Sequence, residues 1–252
     1  GANVTTSGTQ TYTGATVLST DVTLTTTDSN VTFSSTVDGD GTARDLTIDT
    51  NGNTGTILFD GLVGNSNDLD AMTITGNLDL DAAIANTTSI GVSGTSNLGA
   101  NVTTSGTQTY TGATTLSGGD RTLTGSTVNF GSTLTGTGSH DLTITGNLDL
   151  DGALTSVVDL SVSGTSNLGA NVTTTGTQTY TGATTLSGGD RTLTGSTMNF
   201  GSTLTGTGSH DLTITGNLDL DGALTSVVDL SVSGTSNLGA NVTTSGTQTY
   251  TG

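Results

Sequence analysis

The sequence predicts an all-β fold, a parallel β-solenoid (β-helix) of tandem repeats, and three observations predict it. Apolar residues alternate with Thr or Ser, as in Val22-Thr23-Leu24, Leu46-Thr47-Ile48, Leu142-Thr143-Ile144 and Leu160-Ser161-Val162. This is the two-residue period of a strand with one buried face. Residues 99–168 recur at 169–238 with two substitutions, Ser105 against Thr175 and Val128 against Met198. Gly, Asn and Ser separate the strand-like runs at short intervals and supply the turns.

In chain order, the first block covers residues 1–98. It opens with GANVTTSGTQTYTG and closes with SGTSNL, as the later blocks do, but it is longer than they are. The extra length repeats a sub-motif: Val31-Thr32-Phe33 followed by Leu46-Thr47-Ile48 matches Ile57-Leu58-Phe59 followed by Met72-Thr73-Ile74 at the same internal spacing, so the insertion reads as one added coil. The sub-motif returns in block 99–168 as Val128-Asn129-Phe130 before Leu142-Thr143-Ile144, and as Leu148-Asp149-Leu150 before Leu160-Ser161-Val162; block 169–238 repeats both. Successive copies are one short coil apart, as from Val128 to Leu148. Each coil is expected to hold two or three short strands, and each block three or four coils. With strands about 4.8 Å apart, roughly a dozen coils give a rod on the order of 60 Å long.

A single coil cannot bury its apolar face, so stability must come from stacking on neighbours. Residues 239–252 restart the opening phrase. The expectation is that the array continues or that chains associate head-to-tail or laterally, because unpaired strand edges invite more of the same chain. The chain opens on Gly1 and not on Met, so the true start and any export signal are expected outside this segment.

Composition removes several classes. Arg44, Arg121 and Arg191 are the only basic residues besides two histidines, and they face 21 acidic ones for a net charge of −18. That balance repels nucleic acid and anionic membrane surfaces. No apolar run approaches the roughly 18 residues of a spanning helix. The lack of cysteine eliminates disulfides, thiolate metal sites and cysteine nucleophiles, and the lack of lysine removes the anchor of P-loop and Schiff-base chemistry. A disordered linker shares this polar, Gly-rich composition, but not the regular apolar alternation.

The residues with chemical potential all belong to the repeat. His140 and His210 occupy one position, just before a strand, and read as turn residues; a His-Asp step in sequence fixes no catalytic geometry. Asp149 and Asp151, repeated as Asp219 and Asp221 and approximated by Asp79 and Asp81, alternate with inward leucines and face solvent. They are the candidate calcium ligands, although each coil supplies few of them and a solvated strand face explains them too. The Ser117-to-Asp120 and Ser187-to-Asp190 phrases share a Gly-Gly-Asp turn with calcium-binding nonapeptide repeats, but nothing iterates at that family's short period, so they read as tight turns. A polysaccharide-processing site needs one asymmetric pair of acids, whereas every acid here belongs to an array; no catalytic residues and no enzyme activity are expected. Phrases such as Thr107-Gln108-Thr109-Tyr110-Thr111 are expected to form flat outward Thr rows, a surface suited to ice or carbohydrate. Tyr12, Tyr110, Tyr180 and Tyr250, one per copy of the phrase, are packing or sugar-stacking residues.

The stretch TYTGATTLSGGDRTLTGSTVNFGSTLTGTGSHDLTITGNLDLDG resembles the β-strand repeats of large filamentous-haemagglutinin-like bacterial surface proteins, and the resemblance in texture and period covers essentially the whole chain. It implies a secreted, right-handed β-helical rod used in adhesion, biofilm matrix or cell-surface filaments, without cofactor or catalytic residues. The function expected is an extracellular structural or adhesive fibre whose partners are itself and cell-surface or matrix glycans. The alternative is a binding module that uses outward Asp or Thr rows for calcium-dependent carbohydrate or ice binding.

Overall fold

The computed structural model describes residues 1–52 and 54–252. Among them there is no helix, and short strands follow one another with tight turns between. The chain divides into two compact units, residues 1–132 and 133–252, and each is a parallel β-solenoid.

In the first unit the strands stack in three columns. One column runs Val4, Leu24, Ile48, Ile74, Val92, Tyr110, Phe130 in consecutive coils. A second runs Tyr12, Phe33, Phe59, Leu80, Leu98, Leu116. The third runs Thr16, Val37, Val63, Ile84, Val102, Leu123. The expected added coil is present, with Ile57 seated on Val31 and Met72 on Leu46, the same pairs that match in the sequence. Alternation dictates the packing: Leu24, Ile48 and Ile74 are buried while the intervening Thr side chains face outward. The rings of Tyr12, Phe33 and Phe59 stack with centroids 4.9 and 5.0 Å apart, so parallel in-register pairing converts one aromatic position into a ladder.

The second unit has three columns as well. They run Leu134, Leu154, Val172, Leu193, Ile214, Val232; Leu142, Leu160, Gln178, Met198, Leu218, Ser236; and Leu148, Ser166, Thr184, Leu204, Leu224, Val242. Residues 169–238 contain nine strands, of which Arg191–Phe200 and Leu212–Leu220 turn a corner and serve two columns each, giving eleven segments. Eleven is not a multiple of three. Equivalent positions of successive repeats therefore fall in different columns: Leu134, Leu142 and Leu148 head the first, second and third, while their counterparts Leu204, Leu212 and Leu218 lie in the third, first and second. Each repeat presents its motifs one face further round than the last.

The corner inside Leu212–Leu220 needs glycine. Gly216 has φ 138°, and a Cβ there would collide with the Gly195 carbonyl oxygen of the preceding coil. The same strand could not bend so closely over its neighbour with any side chain at that position.

Candidate functional site

The outer surface is built from ladders, because any residue that faces outward in one coil meets its registered partner in the next. At one corner of the second unit the Asp190 carboxylate accepts the Asp211 N–H at 3.0 Å, Asp211 accepts the Asp229 N–H at 3.1 Å, and Asp229 accepts both the N–H of Thr247 at 2.5 Å and its hydroxyl at 2.9 Å. The first unit repeats the device, with Asp21 accepting from Asp45 and Asp45 from Ala71. These bonds to the charged form hold the Asp229 carboxyl below its ordinary range, the Thr247 N–H being the larger cause. His210 lies just before its strand, as the sequence indicated, with Nδ1 3.7 Å from Asp190 of the preceding coil.

The candidate calcium ligands fall into two groups. Asp79, Asp149 and Asp219 lie mid-strand between buried leucines, and each accepts a hydrogen bond at 2.8 Å from the Asn side chain of the next coil, Asn97, Asn167 or Asn237. Asn97 and Asn167 in turn accept from Ser117 and Ser187 at 2.7 Å. Asp81, Asp151 and Asp221 are exposed at the turns that follow. Slight desolvation at its turn, followed by the charges of Asp79 and Asp60, raises the Asp81 pKa although the side chain is exposed. Among the described residues no three His, Cys, Asp or Glu side chains converge as a metal site. Asp79, Asp149 and Asp219 serve in coil-to-coil ladders.

The Thr rows form, and the expected phrase supplies part of them, Thr249 and Thr251 among others. Thr109 stacks between Gly91 and Asn129, and Thr179 between Ser161 and Asn199, but Thr107 lies on Thr127 and Thr177 on Thr197, so the Thr-Gln-Thr-Tyr-Thr phrase makes both mixed and Thr-on-Thr pairs. The eleven-segment repeat explains this: a phrase never stacks on its own copy. Hydroxyl ranks arise where different phrases meet. In the second unit Thr192, Thr213, Ser231 and Thr249 form one row. Thr194 and Thr215 start a parallel row, continued by Ser233 and Thr251, whose N–H groups bond the Ile214 and Val232 carbonyls. The first unit carries a smaller array of Thr23, Thr47 and Thr73 beside Thr25, Asp49 and Thr75. Ranks are about 4.8 Å apart, and hydroxyls within a rank about 6.7 Å, the spacing of two strand residues.

Two interior groups gave no clear signal in the sequence. Gln178 is fully buried; its Nε2 donates to the carbonyls of Thr194 at 2.8 Å and Val172 at 3.3 Å, and its Oε1 accepts from the Tyr180 hydroxyl at 3.0 Å. Gln108 and Tyr110 repeat the arrangement. Tyr110 and Tyr180 are therefore packing residues, stacked on Phe130 and Phe200, and burial pushes both phenols up. Arg191 also turns inward: Nε donates to Leu168 O at 2.9 Å, Nη1 to Asp190 O at 2.7 Å, and Nη2 to the carbonyls of Gly169 and Ser187. The spacing of Gln-x-Tyr and of Gly-Gly-Asp-Arg, repeated without change, was the only trace of either.

Fold and surface together define a three-column parallel β-solenoid with polar ladders on its outer faces. No protein-family model, curated protein or solved structure matches the chain significantly.

Proposed function

We propose that the chain is a segment of an extracellular structural and adhesive fibre, of the kind displayed on bacterial surfaces or in biofilm matrix, and that it acts by presenting repeated weak contacts. The observation that carries this reading is the three-column permutation of residues 133–252, which turns identical motifs to successive faces. Such a surface engages a partner from any side and gains avidity from number. The outward Thr, Ser, Asn and Asp residues and the absence of lysine and cysteine fit an exported surface that meets neutral glycans. Its partners would be further copies of itself and cell-surface or matrix glycans. Beads carrying the full chain at graded density should adhere to glycan-coated surfaces with a steep dependence on density; adhesion no greater than that of bare beads on every glycan surface would sink the proposal.

A second reading rests on the hydroxyl ranks. Two hydroxyl rows in register on a parallel sheet can order water in a lattice, which suits ice binding. Thermal hysteresis or inhibition of ice recrystallisation by the chain, abolished by Thr213→Lys with Ser231→Lys, would support it; absence of both activities in the parent chain would remove it.

A further inference from the structure

We infer that the corner where strand Ile84–Val92 passes from one column to the next is a binding groove for one neutral hexose unit of a glycan, an inference that deepens the adhesive reading and rests on it. Ile84 pairs with Val102 but Thr87 pairs with Thr104, so one extra residue is accommodated between them as a bulge. The bulge borders a groove of about 220 Å³ lined from four consecutive coils. Its rim carries the exposed side chains of Asp68, Asn86, Thr88 and Ser105 with the methyl group of exposed Ala43, and Leu69 is buried beneath. Hydroxyl, amide and carboxylate groups beside methyl surface match a pyranose, which offers a polar edge and an apolar face. The strongly negative chain disfavours anionic sugars.

Two further observations point to a ligand. Thr87 lies beneath the groove at 4% exposure, and its hydroxyl, closed to solvent, has no hydrogen-bond partner. The corresponding register positions later in the chain, Val157 on Thr174 and Val227 on Thr244, carry a methyl group in place of that hydroxyl. The core thus accepts valine there, and the first block keeps a polar atom that its own packing does not use. The groove itself recurs: the register slip between Leu224 and Val227 borders a second one of about 270 Å³, lined by Ser209, Ser226, Thr243 and Ser245, with Ser226 held at φ 60°.

The test is saturation-transfer NMR and calorimetry on the full chain with neutral hexoses, their short oligomers and a uronic acid. The expected result is transfer from a neutral hexose and none from the uronic acid. Asp68→Ala with Asn86→Ala should weaken binding tenfold or more, Thr87→Val should weaken it several-fold without lowering the unfolding midpoint, and exposed Asp151→Ala should change nothing. No transfer from any neutral sugar, or variants that bind like the parent, would overturn the groove. Bead adhesion that survives Asp68→Ala with Asn86→Ala would overturn only the groove as the adhesive contact, whereas sugar binding without any bead adhesion would leave the groove and remove the adhesive function.

Discussion

Arg44 lies just before strand Leu46–Asp49 and Arg191 opens strand Arg191–Phe200, and the solenoid uses the two in opposite ways. Arg44 lies on the surface and pairs with Asp40, one short turn back, at 3.2 Å, both side chains partly exposed. Arg191 is 6% exposed and meets no carboxylate; its donors go to the carbonyls of Leu168, Gly169, Ser187 and Asp190. Burial lowers the Arg191 pKa, opposed by the charge of Asp190. Around the tight Gly188-Gly189 turn, with φ 76° and 140°, four backbone carbonyls converge on the guanidinium, and of these Leu168 O also accepts the Ser187 N–H. A planar five-donor fork satisfies them together. The residue type is shared, and what differs is the partner: converging carbonyls around Arg191, a partly exposed carboxylate beside Arg44.

The largest expected effect tests this contrast. Arg191→Ala should lower stability by about 3 kcal/mol, because several buried carbonyls lose their donors at once. Arg191→Lys should recover only part of it, since an ammonium has fewer donors and no fork. Arg44→Ala should leave the urea midpoint where it was, because exposed ion pairs contribute little. Equal effects at the two positions would show that the buried guanidinium is not the fastener.

Next comes Tyr180, compared with Tyr250 of the same phrase. Tyr180 is fully buried and donates to Gln178, whereas Tyr250 is 37% exposed and makes the same bond to Gln248. Tyr180→Phe should cost about 1–2 kcal/mol by leaving a buried acceptor unpaired, and Tyr250→Phe much less, as water can replace the donor. Calorimetric midpoints of the two variants decide it.

Both pairs show what the sequence made legible. Strand alternation, the added coil of the first block and the inward leucines around Asp149 were readable because each depends on one local rule, the two-residue side-chain period. The burial of Arg191 and Gln178 was not. Charge and amide read as solvent-facing until the carbonyls they satisfy are in place, and those come from neighbouring coils, Leu168 from the preceding one and Thr194 from the next. The composition of the hydroxyl rows was hidden for a related reason. Which phrase lies on which depends on eleven segments sharing three columns, a count that requires knowing where Arg191–Phe200 and Leu212–Leu220 turn their corners.

A smaller effect, of opposite sign, is expected at Thr184. Its hydroxyl is buried without a partner, in the column between Ser166 and Leu204, and the side chain is 1% exposed. Thr184→Val keeps the shape and removes the unpaired group, so stability should rise by about 1 kcal/mol. A fall in the denaturation midpoint would mean that an ordered water, or a partner formed by rearrangement, already satisfies the hydroxyl.

The smallest effects are those of pH, and here two carboxylates should move in opposite directions. Hydrogen bonds from Thr247 hold the Asp229 pKa below its ordinary value. Its contribution is therefore complete above the unfolded pKa of about 4 and is lost as pH falls through the lower folded value. Slight desolvation and the charges of Asp79 and Asp60 raise the pKa of Asp81, so its ionised form opposes folding at neutral pH and the penalty disappears as pH drops below the unfolded value. Asp229→Asn should lower the urea midpoint at pH 7 and flatten the loss of stability below about pH 4. Asp81→Asn should raise the midpoint at pH 7 and leave it unchanged near pH 3, where the parent side chain is already neutral. If Asp81→Asn shifts the midpoint equally at both pH values, its effect comes from packing and the proposed charge crowding at that turn is wrong.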